Sequence, residues 1–239
     1  MTRKFSTTIL KMAMVIGVTM ATLASNAADT KTNVEPTLAQ LAAKPSAAFE
    51  GTGWKTIFDG KSLTGWAVTD FAGSGTVACE DGLVTFQEGD SLTGINFTNK
   101  APKMNYEVAL DAMKLQGSDF FCGLTFPVGD SFATFIVGGW GGTVTGISSV
   151  DGADASENET TGFKKYESNK WYRVRVRVTD KKIEAWVDGE KMVDLLTKGK
   201  KIDLRFGEIE NSKPLGIAAY QTRTAVREIR IRRLDDGNK

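Results

Sequence analysis

The stretch "WYRVRVRV" at residues 171–178 decides the fold class, because its apolar and charged residues alternate strictly. One side of this segment carries Tyr172 and three valines, and the other carries Arg173, Arg175 and Arg177. A period of two places the two sets on opposite faces of a β-strand. The stretch therefore predicts a strand with an apolar inner face and a charged outer face.

The same alternation recurs along the chain, in "NYEVALDAMKL" (105–115), "KIEAWVDG" (182–189) and "REIRIRRL" (227–234). Turn-forming Gly, Asn, Asp and Ser separate most of these runs, and no long helical stripe interrupts them. The pattern predicts an all-β fold, a two-sheet antiparallel sandwich or jelly roll. The outward-facing positions of these strands carry charges of both signs. This favours cross-strand ion pairs on a solvated convex sheet, and not an anion-binding patch.

Two segments differ because they are apolar on both faces: "DFFCGLTFPV" (119–128) and "SFATFIVGGW" (131–140). We expect central strands whose outer face is shielded from water. Residues two positions apart share a face of a strand, so we expect Asp119 on the same face as Phe121, Gly123 and Thr125. On the next strand, Trp140 shares a face with Thr134, Ile136 and Gly138. Small residues beside an acid and an aromatic favour a concave sheet that holds a ligand. The alternative is a face covered by a loop of the same chain.

The first 28 residues have the layout of a secretory signal peptide, with early basic residues, an apolar run and small residues near Ala27. Residues 29–50 are poor in aromatics and are interpreted as a mobile leader. The remaining domain is placed at 51–235. We therefore expect a periplasmic or secreted protein with no membrane anchor after cleavage.

Composition excludes several mechanisms. The chain of 239 residues has no histidine, so Ser-His-Asp and Cys-His catalysis and His-ligated metals are excluded. Its net charge of +1 gives no indication of a nucleic-acid partner. Cys79 and Cys122 could form a disulfide in an oxidising compartment, or remain buried thiols.

The segment "DGADASENET" (151–160) concentrates acids outside any strand period. It contains Asp151, Asp154, Glu157 and Glu159, with Asn158 between the two glutamates. It does not match an EF-hand, although an irregular calcium site remains an alternative. A solvated loop with turns and caps is equally compatible with this composition. The preceding "GGWGG" suggests that Trp140 lies open for stacking on a sugar ring.

Five blocks resemble the 3-keto-disaccharide hydrolase domain family, whose fold is similar to concanavalin A-like lectins and glucanases. They are "GWKTIFDGKSLTGWAV" (53–68), "EDGLVTF" (80–86), "NYEVALDAMKLQGSDFFCGLTF" (105–126), "WYRVRVRVTDKKIEAWVDGEKMVD" (171–194) and "PLGIAAYQTRTAVREIRIRRL" (214–234). The resemblance implies a two-sheet jelly roll with a sugar in its concave face. This chain departs from the family pattern at Ala218 and Tyr220, where relatives commonly carry Gln and His.

The resemblance implies an exported enzyme that cleaves 3-keto-glycosides or disaccharides. We expect Asp119 to supply a carboxylate acid or base, with Glu157 or Glu159 entering from the acidic loop. The residues expected to bind the sugar are Trp140, Asp151, Asp154, Asn158 and Tyr220. The alternative is a non-catalytic, lectin-like carbohydrate-binding module, with calcium held by the acidic loop.

Overall fold

A computed structural model of the chain describes residues 1–2 and 36–234. Apart from its first two residues, the predicted signal peptide lies outside this part, as do residues 29–35 of the predicted leader. The described elements, in chain order, are α1 (Leu38–Ala42), β1 (Lys55–Thr56), β2 (Trp66–Val68), β3 (Val77–Glu80), β4 (Leu83–Phe86), β5 (Leu92–Phe97), β6 (Tyr106–Gly117), β7 (Cys122–Val128), β8 (Ser131–Gly139), β9 (Val144–Ser148), β10 (Gly162–Phe163), β11 (Trp171–Val178), β12 (Lys182–Val187), β13 (Glu190–Leu196), a 3₁₀ helix (Glu208–Ser212), β14 (Gly216–Tyr220) and β15 (Thr222–Arg233).

The strands form two antiparallel sheets, which confirms the predicted sandwich. Sheet A has the order β13-β12-β11-β6-β15-β4-β3, with β1 paired to β15. Sheet B has the order β10-β9-β8-β7-β14-β5-β2. The two doubly apolar segments form β7 and β8 in the middle of sheet B, as their composition predicted.

The core lies between the sheets and follows the alternation in the sequence. On β11, Tyr172 and the three valines are buried in the main apolar cluster. On β6, Tyr106, Val108 and Leu110 join the same cluster. Because each strand has a period of two, its charged residues must then point to the outer face of sheet A.

The outer face of sheet A carries the predicted cross-strand ion pairs. Strand register sets Arg173 opposite Asp111 and Arg177 opposite Glu107. The Arg173 Nε donates to Asp111 at 2.6 Å, and Arg232 Nη2 lies 2.6 Å from Glu107. This face is not solvated, however, because the Glu107 side chain is 0% exposed.

Residues 36–50, expected from the sequence to be mobile, lie along the outer face of sheet A. Leu41 of α1 is 1% exposed, and the carbonyl groups of Ala42 and Lys44 accept hydrogen bonds from Arg227. The ring of Phe49 stacks under the Arg173 guanidinium, 3.7 Å from it. The physical reason is a row of arginine donors on the sheet that needs acceptors, and the backbone carbonyls of this segment supply them.

Both cysteines are free thiols in the structure, on different sheets. Cys122 is fully buried on β7, and burial raises the pKa of its thiol to about 12. Within the described residues, no helix has the length and apolarity needed to cross a bilayer.

Candidate functional site

A groove crosses the outer face of sheet B. It consists of two adjoining depressions, of about 250 Å³ and 240 Å³. Both are bordered by Phe120, Trp140, Arg205 and Tyr220, so they form one continuous site. A concave surface of this size with aromatic walls and a few polar groups is typical of a small-molecule site.

Small residues on the central strands give the groove its floor. A side chain at Gly123 would lie 2.9 Å from the Phe120 ring, so glycine leaves room for that ring to lie across the strand. Phe120 in turn stacks on Tyr220, with ring centroids 5.9 Å apart. Thr125 and Thr134 hydrogen bond to each other across β7 and β8 at 2.8 Å.

Part of this face is covered by the chain itself and part is open. The two alternatives from the sequence, a ligand-binding face and a face covered by a loop of the same chain, therefore each describe part of it. Phe71 packs with Leu92 and Ala218 on one side of the groove. Ala155 of the acidic loop packs with Ile136 and Val144 on the other side. The groove is the stretch left open between these two covers.

Asp119 borders the groove, but it does so from a loop and not from the floor of the sheet. Strand β7 begins at Cys122, and the alternation does not extend back to Asp119. Consequently Phe121 lies in the core, whereas Phe120 faces the groove. The Asp119 Oδ1 accepts the Phe120 backbone N–H at 2.7 Å, and Oδ2 has only a long contact of 3.5 Å to the Gly141 N–H.

Trp140 stands at the rim, as the glycines around it predicted. Its side chain is 40% exposed and borders both depressions. Its backbone has φ of +47°, a left-handed conformation that is uncommon for a residue with a large side chain. Gly141 and Gly142 also have positive φ, so the chain turns here and leaves the indole beside the groove.

Residues 205–208 form a wall of the groove that sequence analysis missed. Arg205 and Phe206 border the first depression, and Phe206 is 95% exposed. Glu208 opens the 3₁₀ helix, and its two carboxylate oxygens lie 3.0 Å and 3.2 Å from the Ala72 backbone nitrogen, whose N–H they accept. This segment has no period of two, so only its aromatic and charged residues outside a strand could have drawn attention to it.

The acidic loop contacts groove residues through Ala155, which packs on Ile136, and through Asp154. The Asp154 Oδ1 accepts the Ser148 hydroxyl at 2.9 Å, and Oδ2 lies 3.2 Å from the Arg205 guanidinium. Ser148 and Arg205 both border the first depression. Asp154 therefore holds two groove residues and does not itself line the groove.

The other acids of the loop are directed elsewhere. Lys200 lies 3.1 Å from Asp151 and 2.5 Å from Glu159. The Lys201 backbone N–H and, next to it, the Lys200 ammonium hold the pKa of Asp151 below its ordinary value. Glu157 is exposed to solvent, and neither it nor Glu159 borders the groove.

Asn158 organises the acidic loop internally. Its amide nitrogen donates to the carbonyl groups of Ile147, Ala153 and Asp154, at 2.7–3.0 Å. Its amide oxygen accepts both the N–H and the hydroxyl of Thr160. All of its hydrogen-bonding capacity is thus used by the fold, which leaves none for a sugar.

The described residues contain no group of three or more Cys, Asp or Glu side chains arranged to hold a metal ion. Three of the four carboxylates of the acidic loop, those of Asp151, Asp154 and Glu159, are paired with Lys200 and Arg205.

Fold and groove together define an antiparallel β-sandwich with a ligand-sized groove on one sheet. The model of the 3-keto-alpha-glucoside-1,2-lyase-like domain family matches residues 53–232. The chain belongs to this family, as its sequence blocks indicated, and is therefore a carbohydrate-active domain. Comparison with curated proteins found no match.

Solved structures share the architecture at low identity. A Crh5 transglycosylase in complex with NAG is 13% identical, with a TM-score of 0.53, and the match covers 77% of this chain and 85% of that one. The carbohydrate binding module CBM66 from Bacillus subtilis is also 13% identical, with a TM-score of 0.47 and coverage of 70% and 95%. A protein of unknown function with a galectin-like fold, from Bacillus subtilis, is 9% identical, with a TM-score of 0.49 and coverage of 72% and 90%.

Proposed function

We propose that this protein cleaves 3-keto-glycosides by eliminating the substituent at C1, within the groove on sheet B. The observation that carries the proposal is the presence of two carboxylates, Asp119 and Glu208, in one aromatic-lined groove. Membership of the 3-keto-alpha-glucoside-1,2-lyase-like family supports the choice of substrate.

The chemistry suits a chain without histidine. A ketone at C3 acidifies the hydrogen at C2, so a carboxylate can remove that proton and leave an enolate. The enolate collapses to a C1=C2 double bond as the C1–O bond breaks, and the departing oxygen takes up a proton. No water is consumed, in contrast to hydrolysis of an ordinary glycoside by a pair of carboxylates.

Asp119 is the better placed of the two carboxylates to act as the base. Its Oδ2 makes only the long contact to Gly141, so this oxygen has a lone pair free for a substrate proton. Both oxygens of Glu208 face the Ala72 N–H, which fixes the Glu208 carboxylate and suits it to orient sugar hydroxyl groups.

Four further side chains complete the proposed site. Arg205 supplies positive charge where the enolate oxygen develops. Tyr220, at the position where relatives carry histidine, offers a phenol that can protonate the leaving oxygen. Trp140 and Phe206 present exposed rings against which a pyranose can stack.

The sandwich domain predicted at 51–235 is proposed to act outside the cytoplasm. This rests on the signal-peptide layout of residues 1–28.

The test uses a 3-keto-α-glucoside with a chromophoric leaving group, and the unoxidised glucoside as the matched substrate. We expect release of the chromophore from the keto compound alone, because only its C2 proton is acidic. Deuterium at C2 should slow the reaction, and the sugar product should carry no ¹⁸O from labelled water at C1. Incorporation of ¹⁸O at C1 would show that the enzyme hydrolyses the glycoside and does not eliminate the C1 substituent.

Amide variants test which carboxylate acts as the general base. Asp119→Asn should reduce kcat by about 10²–10⁴-fold, the usual contribution of a general base. The control is Asp130→Asn, because Asp130 is 95% exposed and lies outside the groove. If Glu157→Gln or Glu159→Gln abolishes turnover and Asp119→Asn does not, the acidic loop and not Asp119 supplies the catalytic carboxylate.

A second function, binding without turnover, is favoured by the two exposed rings of Trp140 and Phe206. Saturable binding of the 3-keto-glucoside with no product over many hours would identify the domain as a lectin-like binding module.

A further inference from the structure

A second depression, of about 320 Å³, lies on the opposite side of the sandwich, on the outer face of sheet A. Its walls include Trp54 and Trp186, its base includes Arg175, and residues 47–50 close it from above. These four covering residues precede the stretch that matches the family model. The cover of the depression therefore lies outside the stretch that matches the family model.

Arg175 borders the depression with guanidinium donors that no hydrogen bond within the described residues uses. Its side chain is 13% exposed and lies 4.0 Å over the Trp186 ring. Neighbouring Arg173 donates to Asp111, Ser46 and Ala47. Arg175 instead has two looser ionic contacts, 3.3 Å to Glu50 and 3.7 Å to Glu107. Among the described residues it completes no hydrogen bond.

Trp186 provides a second polar group without a partner. Its side chain is 8% exposed, and its indole N–H donates to no residue in the part of the chain that the structure describes. The Trp186 ring borders the depression. Buried donors are nearly always paired, so an indole N–H without a protein partner beside a depression is available to a ligand acceptor.

Glu50 shows which chemistry fits this depression. Its carboxylate is the group closest to the Arg175 guanidinium, yet its side chain is 73% exposed. An exposed side chain leaves such a position readily, because a surface ion pair contributes little stability. Asp188 borders the same depression and uses Oδ1 for the Arg173 N–H, so Oδ2 is left to accept a hydroxyl.

From this arrangement we infer a second saccharide site on sheet A, specific for a sugar that carries a carboxylate, a hexuronic acid residue. The sugar carboxylate replaces that of Glu50 on Arg175 and accepts the Trp186 N–H. Its ring lies between the walls that Trp54 and Trp186 form, and a hydroxyl donates to Asp188. This inference does not depend on the proposed elimination reaction in the groove of sheet B.

Calorimetric titration of the full chain with methyl β-glucuronoside, and with methyl β-glucoside as the neutral control, tests the site. We expect millimolar binding of the glucuronoside and at least about tenfold weaker binding of the glucoside, the difference that one charge-assisted contact provides. Glu50→Gln should strengthen binding of the glucuronoside, because it removes the internal competitor. Asp119→Asn, in the other groove, should leave this affinity unchanged.

Arg175→Met should abolish binding, and its melting curve shows whether it folds. If Arg175→Met does not fold, the test of the site rests on Glu50→Gln. That variant is expected to fold, because the Glu50 side chain is exposed. Equal binding of the two glycosides overturns the inference. So does an affinity that Glu50→Gln leaves unchanged, or an absence of binding in both the wild type and Glu50→Gln.

Discussion

The docking of residues 36–50 on sheet A leads to a quantitative prediction for Leu41→Ala. Leu41 is 1% exposed and is the buried residue of α1. Truncation of a buried leucine to alanine costs about 2–5 kcal/mol, and a site near the surface belongs at the lower end, about 2–3 kcal/mol. For a domain of this size each kcal/mol lowers Tm by about 2–4 °C, so we expect a fall of roughly 4–12 °C.

The assay is thermal unfolding followed by circular dichroism, with Leu196→Ala as the matched control. Leu196 is 66% exposed, so the same chemical change there should move Tm by less than about 1 °C, as surface substitutions do. Deletion of residues 36–48 should lower Tm at least as much as Leu41→Ala, because it also removes the carbonyl groups that Arg227 donates to. A deletion variant with the wild-type Tm would refute the docking of residues 36–50 and would support the interpretation of this segment as a mobile leader.

Three further predictions concern the groove, the arginine face and the buried thiol. Trp140→Ala should weaken binding of a 3-keto-glucoside about tenfold while Tm is retained, whereas Phe163→Ala, an exposed aromatic outside the groove, should not; unchanged titration isotherms would exclude stacking at Trp140. Glu107→Gln should destabilise the fold by about 3–5 kcal/mol in urea unfolding, because it leaves Arg177 and Arg232 around a neutral group; a loss below that of Asp130→Asn would contradict this. The Cys122 thiol has a pKa raised from 9.0 to about 12 by burial, so its contribution to stability is complete below pH 9 and is lost as the pH rises toward 12. About 1.4 kcal/mol should be lost between pH 8 and pH 10, and Cys122→Ala should show a correspondingly flatter pH dependence in urea unfolding.

The period of two in the sequence was enough to predict the faces of the long strands. "WYRVRVRV" is a strand with its valines inside, and its arginines meet Asp111 and Glu107 across β6. These features follow from local geometry, because alternation on one strand fixes its two faces whatever the neighbours are. The position of Trp140 beside the groove was also predictable, since the glycines that surround it allow the turn.

The site was predicted only in part, because its remaining residues come from segments without a period. Asp119 and Tyr220 border the groove as expected, but Arg205, Phe206 and Glu208 were not identified. Parity assigned Asp119 to the strand because "DFF" continues the apolar run, whereas the strand begins only at Cys122. The cover on sheet A was missed for another reason: Arg227 and Ala42 are 185 positions apart, a distance at which local patterns carry no information.

The composition of the acidic loop is explained by the segment that it holds. Val150 and Ile202 form a bridge, and Ser149 exchanges backbone hydrogen bonds with Asp203, so the loop and residues 200–205 run side by side. The acids then meet cations of that segment, Lys200 beside Glu159 and Arg205 beside Asp154. Since the same segment carries Phe206 and Glu208 to the groove, the loop fixes the geometry of the site without lining it. Asp151, Asp154 and Glu159 therefore support the groove wall, and the groups proposed to touch a sugar belong to the wall and to Asp119.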